Sequence, residues 1–169
     1  MTILDAAFWA VCLVLVASGA TKVAEPESFA AALAALGIGP LHADGSATGR
    51  WPAVVVGVAE IGIGLNGLVL GGPVVAALAA AAYALFALVV LVARRRGLRS
   101  CGCFGARSGT PSLTHAVING ASALVCASAV VRAPGPLADG LGALSTGVAV
   151  AVVVGVLATA AAIVVVDTR

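Results

Sequence analysis

Charged residues are scarce in this chain: they make up 9% of its 169 residues, whereas 62% of the residues are apolar. Soluble domains carry roughly 25% charged residues, so this few cannot build the polar exterior that a soluble domain needs. Apolar runs near 20 residues recur, which is the length a helix needs to cross about 30 Å of hydrocarbon. The composition excludes a soluble globular domain and predicts a polytopic helical membrane protein.

Five apolar segments are long enough to be membrane spans. They predict an all-α integral membrane protein in which a four-helix transmembrane bundle, residues 1–132, is followed by an accessory fifth transmembrane helix within residues 137–169. A basic N-terminal region is lacking, which argues against a cleaved signal peptide over the first span. The predicted spans are Ala6–Ala20, Pro52–Leu70, Pro73–Ala93, Leu113–Val131 and Leu141–Val166.

Basic residues are almost missing from one side of this topology. With the N-terminus outside, eight of the nine Lys and Arg residues lie on the inner face, and only Arg132 lies outside. Because Lys and Arg favour cytoplasmic loops, we predict a multi-pass protein of the plasma membrane with its C-terminus inside. The basic residues are thus explained as topology determinants, and the net charge of +2 does not indicate nucleic acid binding.

The loop after the first span carries a helical pattern. Pro26 suits a first helical turn, and Phe29, Leu33 and Leu36 follow at i, i+4 and i+7. We therefore predict an interfacial amphipathic helix near residues 26–36.

A buried acid lies in the second span. Gly57, Glu60, Gly64 and Gly67 share one helical face, which predicts that this face packs against protein, because glycine permits close helix approach. An intramembrane Glu is costly and is treated by default as functional. The alternative is a neutral carboxyl group bonded to a neighbouring helix.

Lys22 ends the first span, four residues after Ser18 and on the same face. It is either an interfacial anchor whose charge snorkels to water or a cation that stabilises a thiolate or a buried carboxylate.

A stripe of polar residues runs along one face of the fourth span. His115, Asn119, Ser122 and Cys126 recur at helical spacing, and four polar residues in register favour the lining of a site over isolated packing hydrogen bonds. His115 and Asn119 are the candidate cofactor-binding residues.

Two cysteines separated by one glycine, Cys101 and Cys103, follow a basic run. A Cys-Gly-Cys disulfide closes a small ring, which favours a reducible, exchange-competent bond, and nearby arginines favour the reactive thiolate. The alternatives are an inert pair and a zinc site that adds His42 and His115. Because the spacing is tighter than that of usual zinc ligands, we predict redox activity and no metal.

The other two cysteines, Cys12 and Cys126, lie at a common depth of roughly 8–9 Å below the outer boundary, at about 1.5 Å of rise per residue. They form a candidate second thiol pair. The alternative is that each is a small buried apolar residue.

The string Cys101-Gly102-Cys103-Phe104-Gly105 after a basic loop resembles the signature of the MauE family of methylamine-utilisation membrane proteins, within a broader DoxX-like group. The resemblance covers about residues 3–131, although Ile118 stands where the family often has a basic residue. The supporting matches are Ser18-Gly19, Lys22, Pro26, Phe29, Glu60 and Asn119.

This resemblance implies a four-helix core in the lipid bilayer that is associated with thiol–disulfide chemistry, methylamine dehydrogenase maturation and a thioredoxin-like partner. We expect Cys101 and Cys103 to pass electrons, Lys22 or the nearby arginines to tune the thiolate, and Glu60 to handle protons. The candidate cofactors are a redox-active Cys101–Cys103 disulfide and a membrane quinone. A quinone, or a relay across the membrane, would reconcile inner cysteines with disulfide chemistry outside.

Two rival functions remain open, and the sequence does not predict an oligomeric state. One is a non-catalytic membrane scaffold that binds a partner through the glycine face of the second span and the fifth helix. The other is a small-molecule carrier that uses Glu60.

Overall fold

The computed structural model describes residues 2–37, 47–98 and 110–142, and beyond these only residues 144–145, 149, 154–155 and 157–158. The first three stretches form six α-helices. Four of them are long and apolar enough to cross a membrane: α1, α3 from Gly49 onward, α4 and α5. The helices are α1 (Ile3–Ala24), α2 (Pro26–Ala35), α3 (Ala47–Val69), α4 (Pro73–Arg95), α5 (Leu113–Arg132) and α6 (Leu137–Gly142).

The all-helical, four-span membrane core is confirmed in the described residues. The predicted fifth span, Leu141–Val166, falls largely outside them. A helix is present where one was predicted near residues 26–36: α2 begins at Pro26, as the sequence indicated, and its interfacial position remains a prediction.

Local sequence explains where the helices begin. Thr2 and Asp5 form a capping box before α1, in which each side chain bonds the other residue's backbone N–H. The Ser112 hydroxyl accepts from the backbone N–H of His115 at the start of α5. Helix α3 begins at Ala47, five residues before the predicted span start at Pro52, so Pro52 lies inside the helix, in its second turn, where it removes one intrahelical hydrogen bond.

Successive long helices run in opposite directions, so the bundle has two ends. We call them the Lys22 end, where α1 and α4 finish and α3 and α5 begin, and the Asp5 end, where the directions are reversed. Within the bundle, α1 packs most extensively on α3, and α4 on α5.

Glycines bring α1 and α3 into backbone contact. A Cβ placed on Gly57 would lie 2.7 Å from the carbonyl oxygen of Gly19, and one on Gly64 would lie 2.6 Å from the carbonyl oxygen of Cys12. The glycine face of α3 therefore packs against protein, as predicted. Its partner is α1 of the same chain, so the scaffold hypothesis is wrong in assigning this face to an external protein.

Aromatic residues fill the core toward the Asp5 end. Phe8 and Trp9 of α1 are buried in one apolar cluster with Ala76 and Ala79 of α4. The hydroxyl of Tyr83 donates to the backbone carbonyl of Val11 over 2.6 Å, which joins α4 to α1. Large apolar side chains are exposed on α3, α4 and α5, which is compatible with a bundle surrounded by lipid.

Polar contacts close the Asp5 end. The guanidinium of Arg132, at the end of α5, pairs with the Asp5 carboxylate and donates to the Thr2 hydroxyl over 3.2 Å. The next helix, α6, then lies against α1, with Gly140 in contact with the indole ring of Trp9.

Candidate functional site

The predicted acid and cation form a buried ion pair. The Lys22 Nζ lies 2.8 Å from Glu60 Oε1 and 3.0 Å from Glu60 Oε2, and it also donates to the hydroxyl of Ser18 over 2.6 Å. The exposed fraction is 0% for Lys22 and 2% for Glu60. This geometry excludes the interpretation of Lys22 as a snorkelling anchor, because a snorkelling head group reaches water.

Two aromatic rings enclose the ammonium group. The Nζ of Lys22 lies 5.1 Å from the ring centroid of Phe29 in α2 and 5.2 Å from that of Phe86 in α4. Both distances lie within the range of cation–π attraction, which is strongest where water is excluded. Four helices therefore meet at this one cation.

Phe86 is held in place by a second aromatic residue. Its ring meets that of Tyr83 edge to face, with centroids 6.3 Å apart and planes at 87°, the arrangement that aromatic pairs prefer. Because Tyr83 is hydrogen-bonded to α1, the cage around Lys22 is connected to the core.

Helix α2 covers the ion pair and is held at both ends. Arg50 of α3 pairs with Glu27 in its first turn over 3.0 Å. Arg96, just beyond α4, donates to the backbone carbonyl of Ala35 in its last turn over 3.4 Å. Phe29 lies between these contacts and is buried. Helix α2 therefore covers the Lys22–Glu60 pair.

The ion pair decides between the two functional interpretations of Lys22. A buried charge is tolerated only when it is paired and hydrogen-bonded, and Lys22 meets this requirement through Glu60 and Ser18. Of the two functional interpretations, the structure therefore supports a cation that stabilises a carboxylate. A proton that reaches Glu60 would break the ion pair, so the charge state of Glu60 and the position of Lys22 are coupled.

Sequence reasoning missed part of this site. The helical spacing predicted Phe29 only as part of α2, and no pattern singled out Phe86, yet both rings face the ammonium of Lys22. The one local signal was the spacing of Ser18 and Lys22. Nothing in the sequence indicated that α4 would supply a ring.

The polar stripe of α5 faces the interior, as its spacing predicted: His115, Asn119, Ser122 and Cys126 are all buried. The Asn119 side chain donates to the backbone carbonyl of His115 over 2.8 Å, a bond within its own helix. That contact is of the packing type, and the assignment of His115 and Asn119 to a cofactor remains a prediction.

The second thiol pair lies in the core. Cys12 and Cys126 are both fully buried and free, and they belong to one apolar cluster. The Sγ of Cys12 packs against Gly67, where an added Cβ would lie 2.5 Å away. The structure thus places both thiols in the same apolar environment, and their role as a pair remains a prediction.

The predicted redox motif, Cys101 and Cys103, and the alternative zinc ligand His42 fall outside the described residues. In the part of the chain that the structure describes, no group of three or more His, Cys, Asp or Glu side chains is arranged to hold a metal ion.

The family model described as methylamine utilisation protein MauE matches residues 1–133, which contain α1 to α5. No match was found among curated proteins or among solved structures.

Proposed function

The chain belongs to the MauE family of methylamine utilisation proteins, and from this premise we propose that it is a membrane thiol–disulfide redox protein that passes electrons through Cys101 and Cys103. The family supports a membrane protein involved in methylamine utilisation. The finer assignment comes from the Cys-Gly-Cys pair and from its place in the chain. The segment that contains the pair joins the end of α4 to the start of α5, and both ends lie at the Lys22 end of the bundle.

The observation that carries the proposal is the buried Lys22–Glu60 pair at that same end. A fully buried ion pair inside a membrane is costly to form, and its presence supports the Lys22 end as the functional one. We assign the pair to proton handling: Glu60 accepts or releases the protons that accompany thiol oxidation, and Lys22 returns it to the ionised form.

The exchange step is a conventional one. A thiolate of a thioredoxin-like partner attacks one sulfur of the Cys101–Cys103 disulfide, and a mixed disulfide forms as the other thiolate leaves. The second thiol of the partner then displaces the bound cysteine. Two electrons pass from the partner dithiol to this chain, and the partner leaves as a disulfide. The reverse sequence oxidises this chain and reduces the partner.

The proposal also includes the orientation of the chain in the membrane and the process in which it acts. We assign the Lys22 end, with Arg50, Arg94, Arg95 and Arg96, to the inner face of the plasma membrane, because exposed arginines favour the cytoplasmic side. We assign the chemistry to maturation of a disulfide-containing partner, of which methylamine dehydrogenase is the example that the family suggests. The carrier hypothesis is less well supported, because Glu60 is already engaged by Lys22.

Thiol exchange in reconstituted vesicles tests the proposal. Oxidised protein is mixed with a reduced thioredoxin, and the free thiols are counted over time by a mass-shifting maleimide. We expect Cys101→Ser and Cys103→Ser each to abolish exchange, because a chain that keeps only one of the two thiols cannot form the disulfide that the thioredoxin thiolate attacks. Cys12→Ser and Cys126→Ser serve as matched controls and should exchange at the wild-type rate. Unchanged exchange in both Cys101→Ser and Cys103→Ser would contradict the proposal.

A further inference from the structure

The Lys22–Glu60 pair is closed to water in this structure. Lys22 has no exposed surface, and Glu60 is 2% exposed. A carboxylate exchanges a proton only with a group within hydrogen-bond reach or through one water molecule. Proton handling at Glu60 therefore requires a state in which part of the surrounding protein has moved aside.

Three of the four helices around the pair are fixed by the core. Close backbone contact between Gly19 and Gly57 holds α1 against α3, and the hydroxyl of Tyr83 joins α4 to α1. Helix α2 differs from them, because its ten residues are too few to cross the bilayer and only three of its side chains are buried. Helix α2 is therefore the element that moves with the smallest loss of core packing.

Two polar tethers hold α2 to the bundle, and both lie at the surface. The side chains of Glu27 and Arg50, which form the first tether, are 57% and 48% exposed, and ion pairs at such exposure contribute little to stability. In the second tether, Arg96 reaches the carbonyl oxygen of Ala35 over 3.4 Å, which is longer than a usual N–H···O bond. Segments held in this way open more readily than the core does.

The junction between α1 and α2 can act as a hinge. One residue, Glu25, separates the two helices, and its backbone, at φ −132° and ψ 64°, turns the chain away from the helical path. The N–H of Glu25 donates to the carbonyl oxygen of Thr21 and closes α1, whereas Pro26 has no N–H to donate back to α1. Rotation at Glu25 can therefore displace α2 while α1 keeps its own hydrogen bonds.

We propose that α2 is a hinged cover that gates the access of water to the Lys22–Glu60 pair. The cover swings out at Glu25, the ring of Phe29 leaves the ammonium group, and water enters beside Ser18. A hydronium ion then transfers its proton to a carboxylate oxygen of Glu60 and leaves as water, and the reverse step returns the proton. The need for a gate rests on the proposed function, whereas the displacement of α2 rests on its tethers and hinge.

Alkylation of a thiol beside the ion pair measures the opening. Ser18→Cys places a thiol next to the ammonium group, in a chain that also carries Cys101→Ser and Cys103→Ser. The protein is placed in nanodiscs and treated with iodoacetamide, a small water-soluble reagent, and mass spectrometry of its peptides follows each thiol. We expect the thiol at position 18 to react, while Cys12 and Cys126 stay unmodified until the protein is denatured.

A charge swap tests whether the first tether controls the opening. Arg50→Glu replaces attraction to Glu27 by repulsion, and should raise the rate of alkylation at position 18 about two- to fivefold. The double variant Glu27→Arg/Arg50→Glu restores opposite charges and should return the rate to that of the Ser18→Cys parent. Arg95→Glu is the matched control, because it makes the same charge change at the same end of the bundle without altering either tether, and should leave the rate unchanged.

Hydroxyl-radical footprinting gives a second readout with Ser18 intact, which applies even if Ser18→Cys does not fold. The radicals oxidise side chains that touch water. Arg50→Glu should therefore raise the oxidation of Phe86, which lies against the ion pair, and should not change that of Phe8, which is 0% exposed in the core.

Three results would overturn the hinged cover. Two are a thiol at position 18 that stays unmodified and a rate that Arg50→Glu leaves unchanged. The third is alkylation of Cys12 and Cys126 together with position 18, which would mean that the whole bundle opens. Neither readout depends on thiol exchange, so the cover and the redox function can fail independently.

Discussion

The ammonium group of Lys22 lies within 3.0 Å of both carboxylate oxygens of Glu60, across a sequence separation of 38 residues and out of contact with solvent. This contact joins the end of α1 to the middle of α3. It also converts two costly intramembrane charges into a neutral pair, which is how membrane proteins accommodate ionisable residues.

The first prediction concerns the contribution of this ion pair to the free energy of unfolding. Glu60→Gln leaves a buried ammonium without its counter-charge and should lower the free energy of unfolding by about 3–5 kcal/mol. The double variant Lys22→Met/Glu60→Leu removes both charges and should be near neutral or more stable. Unfolding in a mild detergent, followed by circular dichroism, measures both. A double variant as unstable as Glu60→Gln would show that the charges are not coupled as the distances indicate.

A second prediction tests the aromatic cage. Phe29→Leu keeps an apolar side chain over Lys22 but removes the ring, and should cost up to about 2 kcal/mol because the cation is desolvated. In the Lys22→Met background the ring has no cation to meet, so the same substitution should cost less. The difference between the two values isolates the cation–π contribution. Equal costs in both backgrounds would mean that Phe29 contributes by packing alone.

The third prediction tests the close approach of α1 and α3. Gly57→Ala places a methyl group 2.7 Å from the backbone oxygen of Gly19, and because backbone cannot move aside cheaply, we expect a loss of about 1–3 kcal/mol. Gly62→Ala lies on the same helix with nothing within 4 Å of the added methyl, and should be neutral or slightly stabilising. Thermal unfolding of the two variants in detergent compares them. A tolerated Gly57→Ala would contradict the packing.

A fourth prediction concerns the buried thiols. Cys12 and Cys126 are fully enclosed, so in a protein with Cys101→Ser and Cys103→Ser they should react with maleimide only slowly until denaturant is added. Mass spectrometry counts the adducts before and after unfolding. Rapid labelling of the folded protein would show that the core around these thiols opens.

Periodicity within one helix accounts for what the sequence could predict. The inward faces of α3 and α5 were identified because Gly57, Glu60 and Gly64, and likewise His115, Asn119 and Cys126, recur at helical spacing. Helix α2 was found for the same reason, with Pro26 marking its start. Each of these patterns depends only on residues of the same helix.

Contacts between helices could not be predicted from periodicity within one helix. Lys22 and Glu60 were each identified as functional candidates, but no local pattern shows that α1 ends beside the middle of α3. The same holds for Phe86, whose ring reaches Lys22 from α4, and for the pairing of Arg132 with Asp5 across 127 residues. Such contacts depend on how the helices pack, and packing is decided by the whole bundle.

The central claim, that Cys101 and Cys103 form a reducible pair at the inner face, is tested most directly by thiol labelling. A membrane-impermeant maleimide is applied to intact cells and to inside-out vesicles, with and without a reductant, in a protein with Cys12→Ser and Cys126→Ser. We predict two adducts per chain in reduced inside-out vesicles, none without reductant, and none in intact cells. Labelling from outside intact cells would contradict the orientation, and full labelling of vesicles prepared without reductant would contradict the disulfide.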